Sequence, residues 1–307
     1  MGKMTQQDLA MIVNNKTLTD YINRLTLIAV SLFQWEGLDK VGGNSRFLEE
    51  CLFNNGRACF IKDPTLGYMS INVNPSGNLN YYNEPVKVTA FSTGYNQEYN
   101  FEDIVYIRNN LLELPTFTTL ELFAYRLYEV ERTIDTNVKA QKTPLLLECN
   151  TKTKLTLANV YESYDGNTPV IFGNKEFDIN NHINCIQTNA PYMVDKLEEH
   201  KKNIWNEALT FLGINNANTD KKERLITDEV NSNNELIAYY LNCFYKPRME
   251  SAKEINEKFF DGKEKIKVTL NKDVLKLLDQ NSAELFSKIN NLNNDEIDSL
   301  KGGEDIE

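Results

Sequence analysis

TNAPYMVDKLEEHKKNIWNEALTFLGINNANTDKKERLITDEVNSNNE, residues 188–235, decides how this chain is read. Between Pro191 and Gly213, Val194, Leu197, Ile204, Ala208 and Phe211 recur at helical intervals with Trp205 beside them. Asp195, Glu199, Lys202 and Asn206 form the opposite line. A proline at the entry and a glycine at the exit bound that helix. Beyond it, Ile214 to Asn234 holds six Asn and seven charged residues against four aliphatic ones longer than Ala. Such a stretch cannot bury enough apolar surface to offset its ordering entropy, so a mobile loop is expected at the end of a rod.

Working outward, Pro144 to Gln187 reads as a small α/β insert, with strands at Leu145–Glu148 and Val170–Phe172 and a helix from Leu155 to Tyr164. A capping box, Thr118 with Glu121, opens the helix before it. Leu120, Phe123, Leu127, Val130 and Ile134 keep one face of that helix apolar as far as Thr143-Pro144. About 25 residues at ~1.5 Å each make a rod of roughly 37 Å. Its other faces are polar, which suits a solvated surface helix in a monomer or a second packing face in an oligomer. After the loop, a third long helix is expected to Phe260, passing Pro247, followed by a strand at Lys265–Leu270 and a polar, acidic tail. Near the N-terminus a helix is expected over Thr17–Trp35 and another over Ser45–Phe53, the latter capped by Asn44 or Ser45. Arg57 to Leu112 reads as several antiparallel strands broken by turn residues. The fold class is α+β.

The 307 residues, 41% hydrophobic and 25% charged, describe a folded chain rather than a disordered one. A net charge of -11 argues against gripping nucleic acid by neutralising its phosphates, which needs clustered Lys and Arg. Five cysteines without a CxxC pair suit free thiols in a reducing compartment. No run approaches the ~18 apolar residues of a membrane span, so no membrane partner is expected.

No catalytic motif emerges, and neither an enzyme nor a cofactor is expected. There is no GxxxxGK[ST] and no GxGxxG, so ATP hydrolysis would have to come from another protein. His182 and His200 lie in no recognisable zinc-ligand set. Asp195, Glu198, Glu199 and Glu207 share helical spacing that could hold a metal for nuclease chemistry. Lys196, Lys201 and Lys202 sit among them, however, and a charged face laced with ion pairs is the stronger reading. Lys221, Lys222 and Arg224 form the one basic cluster, flanked by Asp220, Glu223, Asp228 and Glu229, and would bind DNA feebly in a single copy.

The 188–235 stretch, together with FIKDP (60–64), TTLELFA (118–124), NVKAQKTPLLL (137–147) and GNTPVIF (166–172) in that order, resembles the portal protein of small short-tailed bacteriophages with protein-primed linear genomes. That protein is also called the head-to-tail connector or upper collar protein. The resemblance implies a viral portal fold of long stem helices, a β-rich wing, a small α/β clip and a channel loop. It places an N-terminal arm at 1–16, wing at 17–117, stem helices at 118–142 and 191–213, and clip at 143–190. The tunnel loop would be 214–233, a long helix of wing and crown 234–270, and crown with acidic tail 271–307.

What it implies functionally is a dodecameric ring at the capsid vertex whose channel carries double-stranded DNA during packaging and ejection. The partners would be capsid protein, a tail or lower collar protein and a packaging ATPase, in a virion component assembled in host cytoplasm. Lys196, Lys221, Lys222 and Arg224 would face DNA, and Asn216, Asn218, Asp220, Glu223, Asp228, Glu229 and Asn233 would belong to the tunnel loop. Two departures limit the transfer. Gln187 stands where the family places another lysine, and residues 1–16 carry only Lys3 and Lys16 where the family is rich in basic residues, so dependence on a packaging RNA is not carried over. The rival reading is a scaffold or tail adaptor that forms no ring.

Overall fold

The computed structural model describes residues 6–141, 145–147, 183–185, 191–214 and 227–271. Helices are α1 (Gln6–Val30), α2 (Leu38–Val41), α3 (Ser45–Asn55), α4 (Thr116–Gln141), α5 (Val194–Phe211) and α6 (Thr227–Phe260). Strands are β1 (Phe33–Glu36), β2 (Arg57–Asp63), β3 (Gly67–Leu79), β4 (Pro85–Ser92), β5 (Tyr95–Asn100), β6 (Val105–Arg108), β7 (Leu145–Leu147), β8 (Ile183–Cys185) and β9 (Lys267–Leu270). The chain divides into two units: residues 1–128 with 202–307, and residues 129–201.

The larger unit is built on an antiparallel sheet of order β5-β4-β3-β2-β6. Cys59, Ile61, Ile71, Val73, Val88 and Ala90 bury one of its faces with Ile104 and Tyr106. Ala58 and Phe60 alternate with them and are equally buried, so interior strand β2 is covered on both sides. Phe259 and Phe260, at the end of α6, pack against Phe60 and Tyr68 at ring separations of 5.1–5.9 Å. Each such side chain withdrawn from water contributes about 1.5–3 kcal/mol. The FIKDP segment proves to be the end of β2 running into the β2–β3 turn. Asp63 Oδ1 accepts the N–H groups of Leu66 and Thr65, and its Oδ2 accepts the Tyr95 hydroxyl at 2.8 Å. Those bonds, the Leu66 amide first, hold its carboxyl below the usual carboxylate range.

Helix ends follow local chemistry. Asn44 caps α3 by accepting the Phe47 N–H at 2.8 Å, which decides between the two candidate caps. At the end of α5, Ile214 N–H bonds Leu209 C=O and Gly213 N–H bonds Thr210 C=O, both at 2.9 Å, a Schellman arrangement with Gly213 at φ +76°. Pro247 lies inside α6, which runs through it. The neighbouring turns are supported by Arg248 donating to Phe244 C=O and by the Ser251 hydroxyl donating to Pro247 C=O.

Several boundaries differ from expectation. α1 begins at Gln6 instead of Thr17, because residues 6–16 contain good helix formers and no Gly or Pro. It stops at Val30, and Phe33–Glu36 is a strand whose buried-exposed alternation seats Phe33 and Trp35 inward. β1 pairs antiparallel with β9, Phe33 opposite Leu270 and Glu36 opposite Lys267. α4 starts at Thr116, so the expected capping residue Thr118 lies within its first turn. α6 starts at Thr227, taking Asp228, Glu229 and Asn233 out of the expected loop and into a helix. The sequence TDEV supplies a reason, since acidic residues in a first turn complement the helix dipole. The strand expected at Val170–Phe172 and the helix expected at Leu155–Tyr164 lie outside the described residues.

At the centre of the larger unit, Arg248 of α6 uses all five of its N–H donors. It gives two to Glu49 of α3, two to Asn109 after β6, and one to Phe244 within its own helix, at 2.8–3.0 Å. Trp35 Nε1 donates to the same Glu49 carboxylate at 2.7 Å. The guanidinium lies 4.3 Å from the Phe33 ring centre. One buried charge pair thus joins β1, α3, β6 and α6.

Candidate nucleic-acid interface

The residues with a possible DNA role belong to α5 and the segment after it. Within the smaller unit α5 lies against α4. Asn137 of α4 donates from Nδ2 to Pro191 C=O at 3.0 Å and accepts the Met193 N–H at Oδ1 at 3.1 Å. The side chain thereby ties the chain just ahead of α5 to α4. Asn137 opens the NVKAQKTPLLL segment and Pro191 lies in TNAPY, so two of the quoted stretches meet here. Lys201 pairs with Glu131 at 3.1 Å, both part-buried, and lies 3.9 Å from Glu198. In the larger unit Arg126 of α4 pairs with Glu207 of α5 at 3.0 Å, beside a Phe123–Phe211 ring contact. Exposed pairs of this kind contribute about 0–1 kcal/mol each, so they set register more than stability.

Lys196 is exposed in the first turn of α5 and makes no ion pair among the described residues. Asp195, Glu199 and His200 are exposed on the same helix. Lys221, Lys222, Arg224, Asn216, Asn218, Asp220 and Glu223 lie outside the described residues. Asp228, Glu229 and Asn233 fall in α6. Of the acidic set considered for metal chemistry, Glu207 is engaged by Arg126 and Glu198 neighbours Lys201. Among the described residues no three His, Cys, Asp or Glu side chains converge on a point that could hold a metal ion.

Sequence reasoning missed Asn137 and Arg248. Asn137 had a faint signal: it stands three residues after Ile134, where an apolar residue would continue the α4 seam. Arg248, a charged residue one position after a proline, carries no local signal of burial. A cleft of about 400 Å³ lies between α6 and the segment leading into β9, lined by Tyr245, Met249, Asn256, Glu257, Ile266 and Lys267. Asn256 is committed there to structure, accepting the N–H groups of Lys265 and Ile266 and donating to Ile266 C=O.

Long helices braced by polar clasps and a five-stranded antiparallel sheet make up the architecture of the described residues. The family model described as Phage Connector (GP10) matches residues 2–275, and the chain belongs to that family. Its function is that of a bacteriophage portal or connector, a component of the virion. Among solved structures, it aligns with a chain of the portal and tail of native bacteriophage P68 at 17% identity and TM-score 0.46, covering 93% of this chain and 99% of that one. An HK97-family phage portal protein from Corynebacterium diphtheriae aligns at 11% identity and TM-score 0.46, covering 90% and 98%. A chain from the virion of a native gene transfer agent particle aligns at 11% and 0.44, covering 89% and 84%. These TM-scores describe a distant likeness.

Proposed function

We propose that the chain assembles into a dodecameric ring at the capsid vertex and forms the channel through which double-stranded DNA is packaged and ejected. The observation that carries this reading is the connector-family match over residues 2–275. Helices α4 and α5 act as stem and residues 143–190 as clip. The β-rich part of residues 17–117 acts as wing, residues 234–270 as the long helix of wing and crown, and residues 271–307 as crown and tail. The tunnel loop is the 214–226 stretch with the first turns of α6. The protein acts by geometry and charge, without catalysis of its own. ATP is hydrolysed by a packaging motor docked on the ring, and capsid and tail proteins bind its outer surfaces during assembly in the host cytoplasm.

Charge sets the channel physics. Subunits of net charge -11 repel phosphates and keep DNA from adhering. Lys196, exposed on α5, and Lys221, Lys222 and Arg224 after it supply sparse cations. Repetition around a ring turns these into bands whose phosphate contacts are weak, numerous and quickly exchanged. Phage carrying Lys221→Ala with Lys222→Ala should assemble normally and lose packaged DNA, measured as genome content per purified particle. Full retention in the double variant would remove the loop lysines from the mechanism.

A further inference from the structure

Two apolar protrusions stand side by side on the larger unit. The β3–β4 hairpin ends in a tip whose Tyr81 is 103% and Tyr82 85% exposed, flanked by exposed Leu79 and Val86. The turn after β6 carries Leu111, 87% exposed, with Leu112 and Leu114 also exposed. Single apolar residues on a surface are ordinary, whereas seven large ones on two neighbouring turns mark a contact surface.

Both turns are built to hold their shape. Asn80 Oδ1 accepts the N–H groups of Tyr82 and Glu84, and Asn80 N–H closes the tip on Glu84 C=O at 2.8 Å. Asn110 does the same for the second turn, accepting the Leu112 and Leu114 N–H groups and donating to Leu114 C=O. Glu113 sits at φ +58°, a left-handed conformation sustained by its surroundings. Its carboxylate accepts the Tyr106 hydroxyl at 2.9 Å and Arg108 Nε at 3.0 Å. Arg108 also reaches Glu84 at 3.5 Å, so one guanidinium joins the bases of the two protrusions. Gly56 (φ +76°) passes so close beneath that any Cβ there would collide with the Glu113 carbonyl.

We infer that this Tyr-Leu surface is where one copy of the chain binds the next. The inference rests on the ring reading and deepens it. Copies of net charge -11 repel one another, so they must meet where apolar area dominates and local carboxylates are already neutralised. Here Arg108, shared between Glu84 and Glu113, and Arg57, 3.7 Å from Glu113, together compensate the two carboxylates within the subunit, leaving an apolar exterior. Side chains on pre-formed turns also lose little freedom on docking. Ring closure requires a heterologous contact, so the surface meets a different face of the neighbour; patch against patch would close a dimer.

The test compares full-length wild-type protein with Tyr81→Ser/Tyr82→Ser and Leu111→Ser/Leu112→Ser by native mass spectrometry, with thermal melting as the check of fold. Both variants should melt as folded protein while ring yield at fixed concentration falls at least tenfold. In parallel, p-benzoylphenylalanine in place of Tyr82, illuminated in assembled rings, should give a product of twice the subunit mass. It reads the contact even if a Ser variant misfolds. Unchanged ring yield in both variants overturns the inference, as does a crosslink that forms only to coat protein in virions. A wild-type chain that never assembles refutes the ring reading itself, a result distinct from rings that tolerate the substitutions.

Discussion

The Arg248 guanidinium and the Glu49 carboxylate, 199 residues apart in sequence, meet at 2.8 Å with side chains only 4% and 3% exposed. A buried pair contributes little net stability when formed, because desolvation offsets attraction, but removing one partner strands the other charge. Arg248→Met should therefore cost about 3–5 kcal/mol by chemical denaturation at fixed protein concentration. Adding Glu49→Gln should restore part of that loss. An additive double variant would mean that the pair is not coupled.

Gly213 ends α5 in a left-handed turn, and a Cβ there would stand 2.5 Å from Leu241 Cβ of α6. Gly213→Ala combines backbone strain with a collision against a packed helix. A loss of about 2–4 kcal/mol is expected, read as a lowered Tm. An unchanged Tm would show that α5 and α6 can separate at little cost.

Asn137→Ala removes both bonds to the chain entering α5 at once. The expected cost is about 1–3 kcal/mol, confined to the smaller unit. Hydrogen exchange should rise at Met193 and in the first turn of α5, with the β-sheet amides unaffected.

Burial pushes the Cys51 thiol from 9.0 up to about 12, and Cys59, more deeply enclosed, higher still. Both remain protonated in the folded chain at pH 8. Alkylation mapped by peptide mass should therefore label the half-buried Cys243 well before either of them. The sign for stability follows from the raised folded values. The full contribution is present below pH 9, where both states hold the proton. It is lost as pH rises from about 9 towards 12, because only the unfolded chain ionises. Replacing both thiols by Ala should flatten that alkaline decline.

Patterns of short range were legible in the sequence. The β-rich region, the apolar line Leu120–Leu127–Ile134 of α4, the Gly213 stop and the strand at 267–270 all follow from neighbours within a few residues. Features that depend on remote partners were not. Phe33–Trp35 was read as helix because β1 exists only by pairing with β9, at the far end of the described chain. Arg248 gave no sign of burial because Glu49 and Asn109 are brought to it by tertiary folding alone. The expected loop ran too far because its Asn and charge content masked a helix start at Thr227. Of the proposed DNA-facing cations, Lys196 alone lies among the described residues, exposed on α5.

Native mass spectrometry of the full-length protein, with class averages of whatever forms, tests the central claim most directly. The ring reading predicts an assembly of about twelve 35.4 kDa subunits with an open centre. A stable monomer at micromolar concentration would contradict it, and the channel account would fall with it.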